Sequence, residues 1–127
     1  MIQVPLILLR FESRVITGTV LDPNNNNTPM NLTTFHGGCN LLEFEVKTRP
    51  GVADPGILHK AIGSGVTILT QSGVTLGQFT ITFNPADFTA VVAGIYWMDI
   101  VAGFTDGTRY YVYAPTQMRI KDVVNFL

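Results

Sequence analysis

Charge is what this 127-residue chain has least of: 13% of its residues are Asp, Glu, Lys or Arg, against about 25% in an average soluble chain. Eight Lys and Arg against nine Asp and Glu leave a net charge of -1. Such a balance makes no basic field that would condense on phosphates, so nucleic acid is not an expected partner. Cys39 is the one cysteine, which excludes an internal disulfide. No basic residue adjoins it to lower its pKa, so it reads as a small buried thiol rather than a nucleophile. The two histidines, His36 and His59, have no further His, Cys or carboxylate at ligand spacing apart from the His36 and Cys39 pair. A zinc site takes three or four ligands, so neither metal nor cofactor is expected. No apolar run approaches the ~20 residues of a membrane-spanning helix. Met1 to Leu9 is apolar, but it lacks a leading basic residue and a small-residue cleavage site and is broken by Pro5, unlike a secretory signal.

What the chain has instead is period-2 alternation. In Leu42-Glu43-Phe44-Glu45-Val46-Lys47 the apolar side chains share one face and the charged ones the other, as in a strand half exposed to water. Gln78-Phe79-Thr80-Ile81-Thr82-Phe83 repeats the pattern with polar β-formers outward. Further strands are expected at Ile7 to Phe11, Val15 to Leu21, Val66 to Leu69, Ile95 to Val101, Tyr110 to Tyr113 and Met118 to Lys121. Turn signals stand between them: Asp22-Pro23 with Asn24 to Asn27, Gly37-Gly38, Arg49-Pro50-Gly51, Asp54-Pro55-Gly56, Gly63-Ser64-Gly65, Ser72-Gly73 and Asp106-Gly107. Asn24 to Asn27 reads as a loop tip in which Asn tolerates left-handed geometry. Asp106-Gly107 predicts a hairpin of Ile95 to Val101 with Tyr110 to Tyr113. Asn84 through Gly94 breaks the pattern, with Asn84 a cap, Pro85 a first helical residue and Gly94 a stop.

The expectation is therefore a single all-β domain over residues 1-127, an antiparallel sandwich of about seven to eight strands with one short helical crossing near residues 85-93. Residues 1-9 are either its first strand or a contact arm that adds to a partner's sheet.

Residues able to carry chemistry are few. Ser13, Ser64 and Ser72 lack a nucleophile elbow, and no Gly-rich segment ends as a phosphate loop does. Glu43 and Glu45, two apart on a strand, lie on one face about 7 Å from each other. A glycosidase uses two carboxylates across a bond, but here Lys47 continues the row, and the expected reading is a solvated strand face. No catalytic, cofactor-binding or metal-binding residue is assigned. Aromatic residues crowd the last hairpin, and the expected contact residues are Ile2, Val4 and Leu6 with Trp97, Phe104, Tyr110, Tyr111 and Tyr113. Core packing and cross-strand pairing are the competing use of these rings.

In order, the pieces resemble the immunoglobulin-like domain that opens many bacteriophage baseplate upper proteins and related tail or fibre proteins. The matching stretches are Arg10-Phe11-Glu12-Ser13, Ile16-Thr17-Gly18-Thr19-Val20, Met30-Asn31-Leu32-Thr33, Leu42 to Lys47 with Arg49-Pro50-Gly51, and Gly77-Gln78-Phe79-Thr80-Ile81. The tightest match runs from Pro85-Ala86-Asp87-Phe88 through Gly94-Ile95-Tyr96-Trp97-Met98-Asp99-Ile100 to Asp106-Gly107-Thr108-Arg109-Tyr110-Tyr111. Tyr96 in this block is placed to send its hydroxyl back to nearby backbone, as in a tyrosine corner.

The resemblance implies an Ig-like sandwich and a non-enzymatic structural protein of a phage virion. Such a protein is an assembly or attachment module of the tail, baseplate, fibre attachment or neck, with no catalytic residue to carry over. Its partners would be other virion proteins, in a homo-oligomer or a larger symmetric assembly. The family domain usually precedes a long stalk, which this sequence does not contain. A capsid head-decoration protein and a carbohydrate-binding sandwich using outward aromatic rings are the alternatives.

Overall fold

The computed structural model describes residues 6-51 and 56-122. Its elements in chain order are β1 (Ile7–Leu9), β2 (Arg14–Thr19), β3 (Leu21–Asp22), β4 (Thr28–Pro29), β5 (Cys39–Lys47), β6 (Leu58–Ile62), β7 (Gly65–Ile68), β8 (Gln78–Phe83), β9 (Gly94–Phe104) and β10 (Arg109–Lys121). Eight of these form one curled sheet in the order β1-β10-β9-β5-β6-β7-β8-β2, and β3 pairs with β4 as a separate ribbon. The fold is all-β, as the alternation predicts.

Alternation becomes packing on the concave side of this sheet. Phe79, Ile81 and Phe83 on β8, Leu42, Phe44 and Val46 on β5, and Tyr96, Met98, Ile100, Ala102 and Phe104 on β9 are all buried. Leu8, Val66, Met118 and Ile120 complete the cluster from β1, β7 and β10. Each strand gives alternate side chains to one core, so a one-residue slip in any of them would expose its apolar set. Phe44 and Phe83 meet edge to face with centroids 5.4 Å apart, a favoured ring geometry.

The curl has an identifiable corner. Leu58 to Lys60 pair with Val46 to Phe44 on β5, whereas Ala61 and Ile62 align with Gly65 and Val66 on β7. One short strand thereby serves both halves. The sequence reading missed β6 because His59 and Lys60 interrupt its apolar pattern.

Four further expectations need correction. The sheet is mixed rather than antiparallel, since β1 runs parallel to β10 and β6 to β7. Tyr110 to Tyr113 and Met118 to Lys121 are one strand, β10, whose register against β9 shifts between Tyr111 and Tyr113 and again between Tyr113 and Thr116. Bulges of this kind let a strand pass through Pro115, which has no N–H to give a ladder. The crossing near residues 85-93 is a single 3-10 turn, Pro85–Phe88. Asn84 N–H donates to Asp87 Oδ2 at 2.7 Å and Asp87 N–H to the Asn84 carbonyl at 3.0 Å, which satisfies the turn after one revolution. Phe11 lies beyond β1, in a left-handed turn conformation (φ 63°).

Two turn readings hold. Asn26 and Asn27 adopt φ of 53° and 54° at the tip of the β3–β4 ribbon. The Asp106-Gly107 turn joins β9 to β10, with Arg109 opposite Gly103 and Tyr111 opposite Val101. Tyr96, on β9, donates its hydroxyl to the Val92 carbonyl at 2.6 Å, the back-bond expected of it.

Candidate functional site

β1 and β2 are the outer strands of the sheet, and its curl brings them round to face each other. Arg14, at the start of β2, donates from Nη1 to the Ile7 carbonyl at 2.5 Å and so ties the two ends together at one point. Away from that tie an open groove of 690 Å³ separates them. One wall is β2 with Ile16, Thr17 and Thr19; the other is β10 with Val112, Tyr113 and Thr116; the floor is Phe79, Ile81, Met98 and Ile100.

The groove exists because both walls have edges left unpaired among the described residues. β1 covers β10 only at Arg119, Ile120 and Lys121, with one more bond from Arg119 N–H to the Leu6 carbonyl. β2 pairs with β8 alone. Unpaired strand edges beside apolar side chains are templates for another strand. Among the described residues Arg14 is the one charged residue lining the groove, whose walls and floor offer apolar contact and main-chain hydrogen bonds.

A second cluster lies where the sequence reading had a solvated face. Glu43 and Glu45 share a face of β5, as expected, but Glu45 is only 3% exposed. The chain linking β5 to β6 returns across it: Gly56 N–H donates to Glu45 Oε2 at 2.8 Å, and His59 Nδ1 meets Glu45 Oε1. A Cβ at Gly56 would collide with the Val46 carbonyl, so only glycine lets the chain pass this close. β5 pairs with β6 so that Glu45 faces His59 and with β9 so that Glu45 faces Asp99. Ligand atoms of Glu43, Glu45 and His59 all lie within 4.8 Å of one another.

His36 and Cys39 do not form a pair. His36, at a left-handed φ of 50°, places Nδ1 2.7 Å from Asp106 Oδ2 and Nε2 3.0 Å from the Tyr110 hydroxyl. This fastens the 35–38 loop to the β9–β10 hairpin. Hydrogen bonds from the Thr108 side chain and backbone, with His36 beyond them, hold the Asp106 carboxyl below its ordinary range. Cys39 directs its thiol to the Leu41 carbonyl at 3.2 Å, and burial pushes its pKa up. A thiol in that state is a poor nucleophile.

The expected contact residues do not share one surface. Leu6 and Tyr113 line the groove, and Tyr111 is 61% exposed on the outer surface. Trp97 is half-buried between Lys47 on β5 and Gln117 on β10, and Tyr110 is half-buried against His36. Phe104 is corrected to a core residue, 3% exposed, because it closes the alternating inward row of β9. Ile2 and Val4 lie outside the described residues.

Sequence reasoning missed Ile16, Thr17, Val112 and Thr116, which line the groove, and His59 in the carboxylate cluster. The groove residues carry no signal of their own, since a strand edge becomes free or covered only through topology. His59 could have been found by folding Leu42–Lys47 back on itself across the Arg49 to Gly56 turn signals. No protein-family model matches the sequence, and a search of curated proteins finds no match.

Proposed function

We propose that this chain is a non-enzymatic structural module of a bacteriophage virion, joined to neighbouring copies by an extended strand laid into the groove between β2 and β10. The observation that carries the reading is the groove itself, which among the described residues has two unpaired strand edges, an apolar floor and a single charged residue on its lining. An added strand would draw main-chain bonds from the edges and apolar contact from the floor, the two components of β-strand addition. The low charge of the chain fits a surface covered in an assembly.

The occupant we assign is an apolar strand of a second copy. The strands beside the groove also carry exposed apolar residues: Ile7, Leu9 and Val15 are exposed at 43%, 38% and 59%. These belong to β1 and β2, so the surface that offers a strand and the surface that needs one are on the same chain. The Ig-like reading of the fold belongs with this proposal. In it β1-β10-β9-β5 is one layer, β7-β8-β2 is the other, and β6 is the corner between them. The place in the virion rests on the resemblance of the Pro85 to Tyr111 block to phage baseplate and tail proteins.

Light scattering over a range of protein concentrations tests the assembly, using wild type and a Thr17→Lys/Thr116→Lys variant that sets two like charges across the groove. The expected result is a defined oligomer for wild type and a monomer with an unchanged melting temperature for the variant. A wild-type monomer at every concentration that is also absent from purified virions would overturn the proposal. An oligomer indifferent to the two lysines would remove the groove as its seat.

A further inference from the structure

We propose that Glu43, Glu45 and His59 form a binding site for one divalent transition-metal ion, with two carboxylate oxygens and one imidazole nitrogen as its protein ligands. The donor atoms lie within 4.8 Å of one another. Ligands 2.0–2.2 Å from a shared ion at tetrahedral angles stand about 3.3–3.6 Å apart, so the widest pair must close by about 1 Å, a movement that side-chain rotation of the half-buried Glu43 and the partly exposed His59 supplies. Two strands already fix the geometry. Glu43 and Glu45 are i and i+2 on β5, and the β5–β6 register holds His59 opposite Glu45.

The buried carboxylate is oriented as a ligand is. Gly56 N–H fixes Oε2 of Glu45 at 2.8 Å and leaves Oε1 turned to His59 Nδ1, so the ion would replace the Glu45–His59 contact while the backbone bond persists. Hydrogen bonds of that outer kind set ligand direction in metal sites. The charges nearby favour a cation: Glu43 and Glu45 stand side by side, and Asp99 adjoins Glu45 across the β9 pairing, with Lys47 further along β5. Glu45 is covered, but Glu43 is half-buried and the His59 side chain is 34% exposed, so solvent can complete the coordination. One imidazole with carboxylates suits zinc, manganese, iron(II), cobalt or nickel, whereas calcium takes oxygen ligands alone.

Isothermal titration of the full chain with zinc, and the visible spectrum of the cobalt(II) form, read the site without reference to any activity. Wild type is expected to bind one zinc ion per chain and to give cobalt bands typical of N/O coordination. Glu43→Gln and His59→Ala, both at accessible positions, are expected to weaken binding at least tenfold while keeping the wild-type circular dichroism. His36→Ala removes the other histidine and is expected to leave binding unchanged. Absence of stoichiometric binding by wild type would overturn the assignment. So would zinc affinity that falls with His36→Ala but not with Glu43→Gln or His59→Ala.

Discussion

The Tyr96 hydroxyl reaches back four residues to the Val92 carbonyl, at 2.6 Å, from a side chain that is 7% exposed. The bond ties the entry of β9 to the segment that follows the Pro85–Phe88 turn. Tyr96→Phe keeps the ring and deletes the donor, leaving the Val92 carbonyl to solvent. The expected loss is about 1 kcal/mol, read as a lower urea midpoint with an unchanged slope.

Lys60 and Asp87 form an ion pair 2.7 Å apart, with the side chains 8% and 22% exposed. Lys60 Nζ also stands 5.8 Å from the centroid of the Phe83 ring. Asp87→Ala strands an ammonium in the core and is expected to cost about 3 kcal/mol. Lys60→Met should cost less, because Asp87 keeps the Asn84 N–H and its share of water. The double variant is expected to recover most of the Asp87→Ala loss; additive losses in a double-mutant cycle would contradict the pairing.

Gly18 faces Phe79 across the β2–β8 ladder, and a Cβ there would collide with the Phe79 ring. Phe79 is both core and groove floor. Gly18→Ala must therefore displace a packed ring, at an expected cost of about 1–3 kcal/mol. Because the same ring forms part of the groove floor, oligomer formation should weaken more than the melting temperature implies. A Gly18→Ala protein of wild-type stability and assembly would show that the ring has room to move.

Asp106 is a carboxylate held below its ordinary pKa by Thr108 and then by His36. Its contribution to stability is present above the unfolded-state value and is lost as pH falls through the lower folded-state value. Denaturation midpoints should accordingly fall below about pH 4, more steeply for wild type than for Asp106→Asn. Parallel acid limbs for the two proteins would show that the clamp on the 35–38 loop adds nothing.

Local alternation was sufficient for much of the sheet. Phe79-Thr80-Ile81-Thr82-Phe83 and Leu42-Glu43-Phe44 announce their buried faces, because a strand turns successive side chains to opposite sides whatever it pairs with. Asp106-Gly107 announces its hairpin for a similarly local reason: Gly107 sits at φ 89°, which glycine adopts without steric cost. Tyr96 belongs in the same class, since its partner lies only four residues away. Residues with long-range partners were not legible. Glu45 reads as solvent-facing from its neighbours in sequence, yet it is buried with Gly56 and His59 from the following strand region against it.

The sequence by itself determined the all-β class, the inward and outward faces of its main strands, and the positions of its tightest turns, all consequences of side-chain alternation and local backbone preference. Tertiary structure alone decided which strands became edges, that β1 runs parallel to β10, that β6 turns the corner, and that His59 stands against Glu45. The physical reason is that pairing and curl are set by contacts between residues far apart in the chain. An open groove or a three-ligand cluster exists only after those contacts form.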